Sequence, residues 1–398
     1  MAGRKPCALE GRLEMKSVMK VPIVALLATP SVAFSQAGVE YAVVRADAEY
    51  AEVVEMARAR FDSVMAANNI PGLSVAVSID GQVVWSDGFG YANIETGTPV
   101  TPATKFRIGS VSKPLTAVAM GILIDEGRLD LDAPVQRYAP SFPEKAKGEI
   151  TSRLVGGHLA GIRHYRGTEN FSSRKYSAVT EALEIFKDDT LQTAPGEAYS
   201  YSSYGWNLLS AVVEGASGEG FLPYIYENVF EPLDMRNTVA EHMDSIIVGR
   251  GAYYVRSGRG MSAPIINAPY VDNSYKWAGG GFVSTPEDLM NFAHGLMYGD
   301  ILSEETRNTL WATQHASDGD ATGYGIGFSD GMAMEHRVVG HGGGSVGGNA
   351  WFRVFPDDGV AMAVTTNITN GGYGQVAADI MMAFLHVKMH GGMDGMGR

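Results

Sequence analysis

Cysteine is almost absent from this chain of 398 residues, which has only Cys7. Cys7 precedes the apolar run near the N-terminus, so it cannot be a lipoprotein's acylated cysteine, and the remaining chain has no thiol. Disulfides, a cysteine nucleophile and thiolate metal sites are therefore excluded. Basic clusters are lacking too. The formal net charge is −13, and an acidic surface is repelled by phosphate backbones, so nucleic acid is not an expected partner. No low-complexity linker or internal repeat interrupts the chain, which points to one large catalytic unit of two lobes. A long hydrophobic span is missing as well: the run Val21 to Ala33 is too short to cross a bilayer stably.

That run follows Lys16 and Lys20 and leads into Ala33-Phe34-Ser35, a small-x-small pattern. The sequence thus predicts a signal peptide over residues 1–35, export to the periplasm or beyond, and Gln36 as mature N-terminus. Met15 is an alternative start. Cleavage removes five basic and two acidic residues, leaving a charge of −16 and no stable membrane span.

Residues 47–67 carry apolar positions at helical spacing. Leu73–Ile79 and Gln82–Trp85 read as strands joined by Asp80-Gly81, a two-residue hairpin turn. Ser110 to Ile124 is almost wholly apolar, as in a helix buried on all sides. Helical stretches follow near Thr180–Phe186 and Trp206–Glu214, and Thr285-Pro286-Glu287 reads as a helix start. Arg337–Val339, Ala350–Phe355 and Val360–Thr366 read as strands, and Gln375–Val387 as a closing helix. The expectation is an α+β fold, an antiparallel sheet flanked by helices plus a mostly helical lobe, over residues 36–387. A flexible Gly-, Met- and His-rich tail is expected at 388–398. His386, Met389, His390, Met393 and Met396 in that region are not expected to bind metal, because no fold positions them.

The chemistry centres on Ser110-Val111-Ser112-Lys113. Placed three apart at a helix start, Ser110 and Lys113 share one face. The free amides there favour negative charge, and a buried lysine loses proton affinity and can take the serine's proton. Together with Phe106-Arg107-Ile108-Gly109 before it, this segment resembles the first motif of the penicillin-binding-protein and β-lactamase-like serine hydrolases, class C β-lactamases and their esterase and D-alanyl-D-alanine peptidase relatives. The stretches Ser112–Val118, Gly161–Tyr165 and Ala268–Phe282 resemble the mitochondrial branch of that family, serine proteases of bacterial ancestry.

The resemblance implies further site residues. Tyr201, after Pro195-Gly196, matches the catalytic tyrosine of the Tyr-x-Asn motif, while Ser203 stands where the family has asparagine. His341-Gly342-Gly343 matches the Lys/His-x-Gly motif; lactamases of this class usually have lysine there, so His341 suits a peptidase or esterase. The amides of Ser110 and Gly344 would form the oxyanion hole, and Ser203, His341, Gly343 and Tyr275 would line the substrate side. His158, in a segment that is usually structural, has no catalytic part.

Gly343 to Gly347 also fits the G-x-S-x-G elbow, with Ser345 as nucleophile, but that motif needs a helix after it and a strand is expected. The function expected is acyl-enzyme hydrolysis on Ser110 of a small peptide, ahead of esters and then β-lactams, with no metal or organic cofactor. A non-turnover penicillin-binding-type protein and a polymerising protein share the motif set, and the oligomeric state stays open.

Overall fold

The computed structural model describes residues 45–393. The expected signal peptide and residues 394–398 of the expected tail lie outside them.

Helix α1 (Ala51–Ala67) buries Val53, Val54, Ala57, Phe61 and Met65 at helical spacing. Strands β1 (Gly72–Ile79) and β2 (Gln82–Asn93) then form the expected hairpin. Its turn residues Asp80 and Gly81 have φ of 48° and 77°, both left-handed, as a type I′ turn requires. Strand β2 runs eight residues past its expected end at Trp85, because it stays paired with β1 as far as Gly90 and then pairs with Thr98–Pro99.

The late segment supplies β3 (Ser329–Ala333), β4 (His336–Ser345), β5 (Gly348–Phe355) and β6 (Val360–Thr366). All join one eight-stranded sheet, in the order Arg45–Ala46, β2, β1, β6, β5, β4, β3, with Thr98–Pro99 on β2. Its pairings are antiparallel, and β6 pairs with β1 from Val360↔Ile79 to Thr366↔Leu73. Both faces are covered, so apolar residues point alternately to two cores. Val75 and Val77 face one core, whereas Ala76 faces the other.

Helix α1 and the closing helix (Gly374–His390) cover the first face, where Trp85 stacks on Phe384 at 5.7 Å and lies 6.2 Å from Phe61. The second face carries the helical lobe. There α2 (Ser112–Asp125) is buried almost all round, and α3 (Ser203–Ser217) packs beside it. Helix α4 (Pro286–Tyr298) sets Phe292 5.8 Å from Phe352 of β5. Thr285 caps α4 by accepting from the Asp288 amide at 3.3 Å, as its sequence suggested. The fold is α+β, as expected.

Several helix boundaries also differ from those expected. Ser110 lies in a 3₁₀ turn (Gly109–Val111), and α2 begins only at Ser112. Helix α3 starts three residues before Trp206, because the Ser202 hydroxyl accepts from the Gly205 amide at 3.0 Å and caps it there. The closing helix, α5, continues to His390 and stops at Gly391, whose φ of 73° makes a left-handed C-cap. Residues 388–390 are thus helical rather than tail, and Lys388 bonds both Asp80 and the Asp358 carbonyl. Among the described residues no helix is long and apolar enough to cross a membrane.

Removing the fully buried indole that bridges α1, β2 and α5 should be costly. Trp85→Ala is expected to lose about 3–5 kcal/mol in chemical denaturation.

Candidate active site

The site forms where the segment before α2 meets β4. Phe106–Arg107 pairs with Phe282–Ser284, and the Ile108 amide bonds the Phe282 carbonyl at 3.2 Å. Gly109 then turns with φ of 49°, so close to β4 that a Cβ there would lie 2.5 Å from the Gly344 oxygen. A Cβ on Gly343 would fall 1.9 Å from the Ile108 oxygen and 3.2 Å from the Ser110 nitrogen. The glycines of β4 therefore let its backbone lie directly against that of Ser110.

Arg107 fixes this junction from beneath. Its Nε donates to Glu241 at 2.6 Å, one Nη donates to the Val346 carbonyl at 2.6 Å, and Asn273 donates to the same Glu241 oxygen at 2.7 Å. Arg107 and Glu241 are both buried. This ion pair joins the nucleophile's strand to the β4–β5 turn and to the segment before Trp277.

Lys113 is fully buried, with Nζ 2.8 Å from Ser110 Oγ, 2.9 Å from the Gly279 carbonyl and 3.5 Å from Ser203 Oγ. Desolvation holds its pKa well below the ordinary lysine value, which leaves a neutral amine accessible. As an ammonium, Nζ donates to all three; as a neutral amine with N–H bonds to Gly279 and Ser203, it would turn its lone pair to the Ser110 hydroxyl. On the other side, the Tyr201 hydroxyl donates to Ser110 Oγ at 2.8 Å. Burial pushes the Tyr201 pKa up to about 12, so its phenol keeps its proton at neutral pH. Ser110, Lys113, Tyr201 and Ser203 are thus brought together as the sequence placed them.

Two histidines brace the irregular segment that carries Tyr201. His158 Nδ1 accepts from the Ser202 amide at 3.1 Å, and its ring lies 4.3 Å from that of Tyr201. His164 Nδ1 accepts from the Ser203 amide at 3.1 Å. The bond of His158 is to the backbone of Ser202, and its place beside Tyr201 could not be read from the segment alone.

His341 is mid-strand in β4, not beyond a strand end. It is buried, its Nδ1 donates to the Gly342 carbonyl at 2.5 Å and its Nε2 accepts from the Tyr324 hydroxyl at 2.8 Å. Burial, then the charge of Lys113, lowers its pKa to about 3. It is therefore a neutral ring with both nitrogens engaged.

A pocket of about 420 Å³ opens over Ser110, lined also by Tyr201, Ser203, Lys276, His341 and Gly344. A larger groove of about 900 Å³ shares His164, Tyr165, Lys276 and Gly344 with it. Two expected lining residues do not fit. Gly343 is taken up in packing on Ile108, and buried Tyr275 lies 6.0 Å from Tyr165 without lining the pocket. Lys276, Gly279 and Gly280 line it instead, and only their presence in the Ala268–Phe282 stretch pointed to them. The elbow reading of Ser345 fails because β5, not a helix, follows the turn. Among the described residues no cluster of three His, Cys, Asp or Glu side chains could hold a metal.

The sequence model of the family described as "Beta-lactamase" matches residues 57–385. The chain belongs to the beta-lactamase family. It is 31% identical to the human mitochondrial serine beta-lactamase-like protein LACTB, over 84% of this chain and 80% of that protein. It is 27% identical to penicillin-binding protein 4* of Bacillus subtilis, over 68% of this chain and 62% of the other. Among solved structures, the octameric penicillin-binding protein homologue from Pyrococcus abyssi matches with TM-score 0.71 and 26% identity, covering 84% of this chain and 77% of that one. The D-amino acid amidase from Ochrobactrum anthropi shares the fold, with TM-score 0.73, 20% identity and coverage of 84% and 99%.

The contrast between neighbouring glycines is testable by unfolding. Gly343→Ala is expected to destabilise by about 1–3 kcal/mol, whereas Gly342→Ala, which meets nothing within 4 Å, should be near neutral.

Acid should weaken the fold early. His158, His164 and His341 all have folded pKa values below the ordinary 6.5, the last two at about 4 and about 3, through burial first. Unfolding lets them take protons the fold excludes, so their contribution is complete above about pH 6.5 and is lost as pH falls below it. A plot of Tm against pH should begin to drop near 6.5, at up to about 1.4 kcal/mol per histidine per pH unit. A plateau maintained down to pH 4.5 would contradict this.

Proposed function

We propose that this member of a serine hydrolase family works through an acyl-enzyme on Ser110 and prefers peptides over small esters and β-lactams. The observation that carries the reading is the desolvated amine of Lys113, 2.8 Å from Ser110 Oγ, with the Tyr201 hydroxyl at 2.8 Å on its other side.

Ser110 Oγ attacks the substrate carbonyl as its proton passes to Lys113 Nζ. The amides of Ser110 and Gly344 receive the oxyanion, a contribution worth roughly 3–4 kcal/mol where one such donor has been removed elsewhere. Tyr201 then protonates the leaving nitrogen or oxygen and recovers a proton from Lys113. Water, deprotonated along the same route, attacks the acyl carbon and releases Ser110. All of this is carried by side chains and backbone amides of the chain itself.

Two points support peptides as the first choice. The stretches Gly161–Tyr165 and Ala268–Phe282, which resemble the mitochondrial protease branch, supply His164, Tyr165, Lys276, Gly279 and Gly280 to the pocket wall. Neutral His341 also lacks the charge that lysine offers a drug carboxylate at that strand position. The apolar run and Ala33-Phe34-Ser35 support action outside the cytoplasm.

Intact mass after fluorophosphonate treatment tests the mechanism. The wild type should gain one adduct, Ser110→Ala none, and Lys113→Met should label about 10²–10⁴ times more slowly. Because the active form of Lys113 is the neutral amine, the labelling rate should rise with pH through an ionisation well below 10.5. An adduct persisting in Ser110→Ala would sink the assignment. A peptide panel giving a burst without turnover would remove the hydrolase reading while keeping Ser110.

A further inference from the structure

Lys276 has no part in the steps above, yet it lines both the pocket over Ser110 and the adjoining groove. It is a buried lysine, only 5% exposed, on the 3₁₀ turn Ser274–Lys276. Its ammonium has no ion pair or hydrogen bond among the described residues; the rings of Tyr275 and Tyr165 flank it at 5.3 and 5.7 Å. A buried cation left in this way is expensive unless something completes it.

The surroundings say what that something is. Among the described residues, no aspartate or glutamate lines either cavity, in a chain of net charge −13. The acid whose field reaches Lys276, Glu241, is already bonded by Arg107 and Asn273. The other basic side chain of the groove, Arg256, has its guanidinium bound to the carbonyls of Asn68, Met261, Thr369 and Asn370. Lys113 is committed to Ser110, Ser203 and Gly279. Among the described residues, Lys276 is therefore the one cation of this concavity left for a ligand.

We propose that Lys276 recognises a carboxylate on the substrate, so that the enzyme selects anionic peptides or esters. It supplies from another segment the charge that His341 does not. The assignment rests on Ser110 being the acylated residue.

Burial and the charge of Arg107 bring the Lys276 pKa down to about 7, against the opposing field of Glu241 and with a further lowering from Lys113. His164, Tyr165 and Tyr275 are the other titratable groups facing it, and burial keeps all three uncharged near neutrality. The anion preference should therefore be strong below about pH 7 and fade above it.

The test uses two matched substrate pairs, since the carboxylate can sit on either side of the scissile bond. One pair is p-nitrophenyl monoglutarate and p-nitrophenyl valerate; the other is hippuryl-thioglycolate and its methyl ester. The reading is the ratio of kcat/KM, charged over neutral, within each pair. In the wild type at least one ratio should exceed ten at pH 6 and shrink by pH 8.5. Lys276→Met should reduce that ratio to near one and make it independent of pH, while Lys276→Arg should restore most of it and remove its decline at pH 8.5. Ratios near one in both wild-type pairs, or a preference unchanged in Lys276→Met, would overturn the proposal. Fluorophosphonate labelling of Ser110 in the same preparations separates the two ideas: no label in the wild type defeats the acyl-enzyme reading, whereas label without carboxylate preference defeats only this one.

Discussion

The site depends on keeping water away from one amine. A charged Lys113 at this depth would cost several kcal/mol, so burial favours the neutral amine, the form that can take a proton from Ser110. That exclusion sets conditions on distant parts of the chain. Helix α2 is apolar on nearly every side, and the Gly279 carbonyl gives Nζ a dipole rather than a charge. Gly327 approaches so closely that a Cβ on it would lie 3.1 Å from the Lys113 carbonyl. A carboxylate in this shell would favour the ammonium form of Lys113, and among the described residues no carboxylate lines the pocket.

Position is fixed by a different interaction. Arg107 and Glu241 neutralise each other under the junction, and the Arg107 bond to Val346 holds the end of β4 against Gly109. Removing one partner would leave the other buried and unpaired, which is far costlier than replacing both. The backbone alignment of Ser110 with Gly344 thus relies on charges that never meet the substrate.

Much of this was legible because it is local. The S-x-x-K spacing, the apolar run behind it, the Asp80-Gly81 turn and the Thr285 cap each carry their signal within a few residues, and each is where the sequence put it. Gly391 was an equally local stop signal that ended α5 three residues later than expected. What escaped is set by approach between distant segments. Nothing around His158 announces that its ring lies under Tyr201, and Gly343 and Gly344 look alike although one packs on Ile108 and the other faces the pocket. Tyr275 and Lys276 adjoin in sequence, but the turn that carries them brings only Lys276 to the cavity.

The pairing of β1 with β6 joins Leu73 to Thr366 in the middle of the sheet, not at its rim. During synthesis, Ser110 and Lys113 leave the ribosome long before β4, β5 and β6 exist. Until then the β1–β2 hairpin has an open edge along β1, and the Gly344 amide that completes the site has not been made. A product truncated before β4 therefore lacks the assembled centre, and the reactive serine is completed only after β4 has emerged and paired.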